Sequence, residues 1–325
     1  MSHEFESGFS GNNKAAWHGL AKVVPGTLGL EEAWRTAGLD WEVQTVPVIC
    51  ADTNAPVPGC KAIRRTSDMQ VFGAVGEGYE PIQNKQLFQV AEALLQQGAQ
   101  FETAGSLFGG RLVWVLVRTD GFVDAVTGDK VDPFIMVSSG HDGKHKLRGD
   151  LEAVRTICWN TFRQAIAASK RTFAISHRSG WVEHVAEAKR MLGLAKDHFG
   201  QLTEDLSRLA TVELTLKRQV AIVDRMIPLP ADALKQSAKD HVYEQRLTLD
   251  QLLAKPTGRQ FGEGTLYQAW NGLSEFASHA LELRRQVGTD TQRAERRMVD
   301  LSFDTGKRAE FAERGWAVVQ ELARA

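Results

Sequence analysis

Gln100–Thr119 reads QFETAGSLFGGRLVWVLVRT, and the rest of the first half of the chain is placed by it. Its run Leu112-Val113-Trp114-Val115-Leu116-Val117 is apolar at every position, the pattern of a strand buried on both faces and therefore central in its sheet. Gly109-Gly110 links it to a preceding strand over Gln100–Phe108. A two-residue glycine connection favours the primed turn of an antiparallel hairpin.

Upstream, Asn84–Gln97 has the apolar face of a helix (Leu87, Val90, Ala91, Leu94, Leu95), with Asn84 as N-cap and Gly98 as stop. Before it, Lys61–Ser67 and Met69–Val75 read as a hairpin turning near Ser67-Asp68. Its neighbours Arg64 and Arg65 must face opposite ways, so one of them at most faces a given groove. Trp41–Ile49 alternates as a half-buried strand, Pro47 favouring a sheet edge. Leu30–Ala37 is a short helix stopped by Gly38, and His18, beside Trp17 and Gly19, reads as a packed structural residue, with a ligand or a base as the alternative.

Downstream, Phe122–Val126, Phe134–Ser139 and Glu152–Trp159 are strands and Asn160–Ser169 a helix. Antiparallel strands interrupted by helices, without regular alternation, define an α+β fold. Beyond Trp181 apolar residues recur every three or four positions from Val185 to Leu209 and from Val212 to Ile227, as one long helix or a helical hairpin. Gly193 and Gly200 mark a bend in it, and Pro228-Leu229-Pro230 ends it. The stripe serves core packing or, alternatively, an inter-subunit coiled coil. Further helices fit Ala231–Leu253, Thr265–Gln286, Thr291–Ser302 and Thr305–Ala323. The division is therefore an antiparallel sheet with packed helices over 1–180 and a mainly helical part over 181–325.

With 325 residues, 43% hydrophobic and 24% charged, the composition is that of a soluble globular protein of one large or two unequal domains. Cys50, Cys60 and Cys158 form no CxxC pair, and the start MSHEFE is not a signal peptide, so a reduced, cytoplasmic protein is expected. The longest strongly apolar run, Leu112–Val117, is far short of the ~18 residues of a membrane helix. No membrane partner is expected.

Net charge is −1 overall, yet His141–Arg178 holds eight cations (Lys144, Lys146, Arg148, Arg155, Arg163, Lys170, Arg171, Arg178) against Asp142, Asp150 and Glu152, a net of +5. Clustered cations release counterions from a phosphate backbone, so this block points to a polyanion; a solvated basic face is the alternative. No GxxxxGK[ST] occurs, GAVGEGYE at Gly73–Glu80 lacks dinucleotide spacing, and no G-x-S-x-G or HExxH is present. No cofactor is implied. Asp142-Gly143 between His141 and His145 makes a turn there, in preference to a metal pair. An active site gathered from distant carboxylates such as Asp120, Asp124 and Asp132 would leave no local signature.

Several motifs taken together, Trp17-His18-Gly19-Leu20, Ala37-Gly38-Leu39-Asp40-Trp41, Gly78-Tyr79-Glu80-Pro81-Ile82-Gln83-Asn84, Phe101–Leu107 with Gly109-Gly110-Arg111, His141-Asp142-Gly143, Cys158-Trp159-Asn160-Thr161, and Gly264–Tyr267 with Trp270-Asn271, resemble the phage/plasmid-like proteins catalogued as a domain of unknown function. The resemblance implies a mobile-element origin and carries over no catalytic residues. Families of this kind are remotely similar to phage single-strand annealing proteins, whose core is a curved antiparallel sheet backed by a helix and whose subunits form rings or filaments. The expected function is therefore ATP-independent binding and annealing of single-stranded DNA. The eight cations, with Arg64 or Arg65, would hold phosphates, and Trp159 or Phe162 would stack on a base or pack in the core. Expected partners are single-stranded DNA, further copies of the chain, and a phage exonuclease or host single-strand binding protein. A metal-dependent nuclease or a phage assembly protein is the alternative.

Overall fold

The computed structural model describes residues 5–10, 22–24, 26, 28–95, 100–119, 123–124, 126, 128–155, 173–178, 186, 195–257, 260–281 and 307–325. Trp17–Leu20, Gly98, Cys158, the helices expected over Asn160–Ser169 and Thr291–Ser302, and the start of the stripe at Val185 lie outside the described residues. The fold is α+β. Two compact units divide the chain, one of Met1–Asp120, Phe134–Leu151 and Arg171–Ala195, the other of Gly121–Pro133, Glu152–Lys170 and Lys196–Ala325. Their boundaries interleave, whereas the sequence suggests a single cut after residue 180.

The strands are β1 (Phe5–Ser10), β2 (Lys22–Val23), β3 (Val43–Ile49), β4 (Pro56–Arg65), β5 (Val71–Gly76), β6 (Gln100–Leu107), β7 (Leu112–Arg118), β8 (Val123–Asp124), β9 (Lys130–Gly140), β10 (Leu147–Arg155) and β11 (Phe173–Ile175). They form a large sheet in the order β11-β10-β9-β7-β6-β1-β2, with β8 paired to β9, and a small sheet β3-β4-β5. Seven strands in a row leave β7 in the middle. Val113, Val115 and Val117 are fully buried on one of its faces and Trp114 on the other, as an uninterrupted apolar run requires. Helix α1 (Leu30–Thr36) precedes β3, and helix α2 (Asn84–Leu95) packs on β7, with Leu87, Phe88, Val90 and Ala91 buried and Phe88 against Phe101.

The connection between β6 and β7 is longer than the glycine pair suggests. Leu107 pairs with Leu112, and the turn is closed by the Gly110 N–H on the Leu107 carbonyl at 3.1 Å. Its central residues Phe108 and Gly109 have φ of 54° and 67°, the positive values of a primed turn. The turn thus sits one residue before the expected place. Strand β10 likewise begins at Leu147, five residues ahead of the expected Glu152.

In the second unit the long stripe is two helices, α3 (Ala195–Thr211) and α4 (Leu216–Met226). Between them Leu214 N–H bonds the Gly264 carbonyl at 2.7 Å and Leu266 N–H bonds that of Val212 at 2.8 Å, and this bridge replaces a turn of helix. Thr215 then caps α4 by accepting from the Arg218 N–H. The two prolines end α4 as expected. Helix α5 (Gln236–Ala254) leads to α6 (Leu266–Glu275), which passes into a π-turn over Phe276–Ala280 and stops at an extended Leu281. Arg308, on α7 (Lys307–Arg324), donates to the carbonyls of Ala277 and Leu281. A cation on carbonyls left open by a helix end is favourable. Trp270, Phe276, Phe311 and Trp316 fill the core here, Trp270 standing edge-on to Trp316 at 4.9 Å.

Gly272 lies where α6 touches the end of α5. A Cβ there would stand 2.8 Å from the Leu252 carbonyl carbon and 2.9 Å from the Leu253 nitrogen, with the Leu252 oxygen closer still. Alanine gains about 1 kcal/mol of helix propensity, but the backbone contact forces an overpacking cost of about 1–3 kcal/mol. Gly272→Ala is therefore expected to lower the urea midpoint of this unit. A raised midpoint would show that α5 yields freely.

Candidate nucleic-acid interface

The basic block starts in the loop that follows β9. His141 N–H bonds the Arg111 carbonyl at 2.8 Å. Asp142 Oδ1 then accepts from the backbone N–H groups of Lys144 at 2.9 Å and His145 at 3.2 Å, and Gly143 takes φ of 75°. This is the turn that Asp-Gly favours. The loop seats on β5, where Gly73 leaves room for the Asp142 carbonyl and Gly143 for Val75: a Cβ on either glycine would meet those atoms at 2.9 and 2.5 Å.

The two histidines of the loop part company. His141 is fully buried, between the rings of Trp41 and Phe72. Asn84 fixes its tautomer: the amide nitrogen donates to the Leu39 and Trp41 carbonyls, each at 3.1 Å, so its oxygen must accept from His141 Nε2 at 2.8 Å. Nδ1 is buried without a hydrogen-bond partner. Burial, then the nearby His177, push this imidazole down to about 3. His145 turns to the Asp142 carboxylate at 3.1 Å. Burial would raise Asp142, but the hydrogen bonds from His145 and Lys144 hold it well below the usual carboxylate range. His141 and His145 therefore turn to different partners and not to each other, and among the described residues no group of three His, Cys, Asp or Glu could hold a metal ion.

A second buried imidazole completes the network. His177 Nδ1 lies 2.8 Å from the Tyr79 hydroxyl and Nε2 3.1 Å from Ser139 Oγ, with the Tyr79 ring stacked on it at 5.0 Å. Two hydroxyls can each donate or accept, so the neutral ring is satisfied in either tautomer. Burial pushes His177 down to about 4, against the attraction of Asp142. Burial and the Asp142 charge both raise Tyr79. Asn84 is thus no N-cap. Gln86 reaches back to the Gln83 N–H at 2.7 Å while the Gln83 carbonyl accepts from Leu87, which makes Gln83 the cap in half a capping box.

At the β11 edge of the sheet, cations face solvent. Leu147 pairs with Ile175 and Arg148 with Ala174. Exposure alternates through Ala174, Ile175, Ser176, His177 and Arg178, and through Lys144 to Arg148 the cations are exposed or half-buried while Leu147 is buried. Lys144, Lys146 and Arg178 are exposed, and their side chains carry no hydrogen bond or ion pair among the described residues. Arg148 is half-buried and lies 3.4 Å from Asp150.

A family model described as a domain of unknown function (DUF932) matches residues 71–301. The chain belongs to this family. In comparisons with curated proteins and with solved structures, nothing matches. The DUF932 segment takes in β5, the loop at His141, Tyr79, Asn84, His177 and every cation of the basic block, whereas Glu6, Trp41 and Arg65 precede it. Of the ten cations singled out in the sequence, Lys144, Lys146, Arg148 and Arg178 come to the β10–β11 edge. Arg155 lies in β10 with its side chain outside the described residues, as are Arg163, Lys170 and Arg171 and the aromatic residues Trp159 and Phe162. Arg64 is half-buried, its Nε without a partner.

Arg65 is a correction. It is buried, and its guanidinium is held by Glu6 at 2.7 Å, by Asp68 at 2.8 Å and by Gln70, over the Trp41 ring at 4.9 Å. These contacts leave it no donor face for a phosphate. Of the carboxylates named for a nuclease, Asp120 and the Asp124 side chain lie outside the described residues, and Asp132 is half-buried. No described helix is long and apolar enough to cross a membrane.

Proposed function

We propose that this DUF932 chain is an ATP-independent single-stranded DNA binding and annealing protein of a phage or other mobile element, acting in the cytoplasm as a homo-oligomer. The observation that carries the reading is the set of unpaired, exposed cations Lys144, Lys146 and Arg178 at the β10–β11 edge. Cations already committed to carboxylates would have to break those pairs to reach a phosphate; these three do not. The turn fixed by Asp142 orders the Lys144 backbone, so only its side chain loses freedom when it meets an anion. Phosphates held along this edge would leave bases free to pair with a second strand. A phage exonuclease or host single-strand binding protein is the further partner of this reading.

Affinity of the full chain for a fluorescent oligonucleotide across a salt series tests it. Each phosphate neutralised on a single strand contributes about −0.7 to the log–log salt slope. The variant K144E/K146E/R178E is expected to lose about 2 from that slope, with a loss of affinity on any base sequence. An unchanged slope and affinity would overturn the proposal, and magnesium-dependent cleavage of the strand would replace it with the nuclease.

A further inference from the structure

Among the described residues, six of the eleven exposed large apolar side chains fall between Leu216 and Leu247. Leu216 and Val220 stand one turn apart on α4, 76% and 47% exposed; Tyr243 and Leu247 stand one turn apart on α5, 51% and 58% exposed. Leu229 and Leu234 lie in the connection between the helices. Exposed apolar residues are ordinary when scattered, but a contiguous row marks an interaction surface.

The four helical side chains share one side of the helix pair. Gln219 Nε2 donates to Asp250 at 2.8 Å and Arg246 pairs with Asp224 at 2.5 Å, so the helices run antiparallel and Leu247 comes level with Val223. Asp224 continues the row Leu216–Val220 on α4, and Arg246 belongs to the row Tyr243–Leu247 on α5. Their ion pair joins the two rows. The row is flanked by Lys217 at one end and by Glu244, level with Met226, at the other. Both are exposed and carry no ion pair among the described residues.

We infer that this row is the contact between two copies of the chain. A twofold axis crossing the row near Ile222 lays each α4–α5 pair antiparallel on its mate. It brings Lys217 of one copy to the level of Glu244 of the other, twice over. Self-complementarity of this kind is what an isologous interface requires, and a partner of uniform charge would leave one of the two ions opposed. Of the stripe over Val212–Ile227, Val223 is buried, with Ile222 and Met226 beside it in the core, whereas Leu216 and Val220 are exposed and serve the pairing.

Sedimentation velocity and light scattering of the full chain without nucleic acid test this independently of the DNA reading. The wild-type chain is expected to dimerise and Leu247→Glu, a change at an exposed site, to give a folded monomer. Lys217→Glu and Glu244→Lys should each weaken the dimer at least about tenfold, because reversal sets like charges opposite at two places. The double variant K217E/E244K should restore it, and K144E/K146E/R178E should leave it intact. A wild-type chain that stays monomeric leaves the row to a different partner and overturns the inference. So does an assembly indifferent to Leu247→Glu, or a double variant weaker than either single one.

Discussion

Acidification from about pH 7 to about pH 4.5 is expected to remove several kcal/mol of stability from the strand-rich unit. An ordinary histidine takes up its proton near 6.5, whereas His141 is pushed to about 3 by burial and by His177, and His177 to about 4 by burial. Between those limits the unfolded chain binds two protons that the folded unit refuses. Protons on the unfolded side alone make stability fall as pH falls, by about 1.4 kcal/mol per pH unit for each histidine. The loss begins as pH drops through 6.5 and ends for His177 near 4, while His141 continues to about 3. Asp142, held low by His145 and Lys144 against its burial, begins to lose its own contribution only as pH falls through the ordinary carboxylate value of 3.8, after acidification to pH 4.5 is complete. Hydrogen exchange at the β7 and β9 amides reads this unit by itself. Their protection should fall across the window, and His177→Gln should about halve the slope. A flat profile between pH 7 and 5 would mean that both rings charge freely in the folded state.

Arg65→Met is expected to cost about 3 kcal/mol. Methionine keeps much of the apolar stem but leaves Glu6, Asp68 and Gln70 facing an uncharged group and removes the guanidinium from above Trp41 and Phe72. Glu6 and Asp68 are partly exposed, so both can regain water, which sets the cost near the low end of the range for a broken buried pair. Lysine should recover little, because an ammonium cannot serve three acceptors in one plane. Neutralising the anions together with the arginine, as R65M/E6Q/D68N, should destabilise less than Arg65→Met alone. A single variant within about 0.5 kcal/mol of wild type would place Arg65 among ordinary surface cations.

What could be foreseen follows from the range of the interactions involved. The centrality of β7 was written in six consecutive apolar residues, and the opposed fates of Arg64 and Arg65 in the two-residue period of a strand. The end of α4 was written in two prolines. The break between α3 and α4 was not, because residues 212–214 satisfy their backbone by pairing with residues 264–266, and periodicity in one segment carries no trace of a partner 50 residues on. The same holds for the polar network: Tyr79 and His177 are 98 residues apart, Asn84 and His141 57. Asn84 looked like a cap because capping is the local use of an asparagine. The signal that could have joined them was the pair of motifs Gly78–Asn84 and His141–Gly143, which the fold brings together. The cations were visible as a charge excess, yet which of them stay unpaired depends on Asp150, Glu6 and Asp68, and so on packing.

The Gln83 side chain accepts from the Val43 N–H at 3.0 Å and donates to the Val43 carbonyl at 2.9 Å, doing for one residue what a neighbouring strand would do. Pro47, further along β3, has no N–H to offer. The outer margin of the small sheet is thereby closed to a recruited strand at Val43 and weakened as a template at Pro47. A margin whose outward groups are already satisfied is a poor template for a further strand. Recruitment of a strand at the start of β3 would first require Gln83 to let go of Val43.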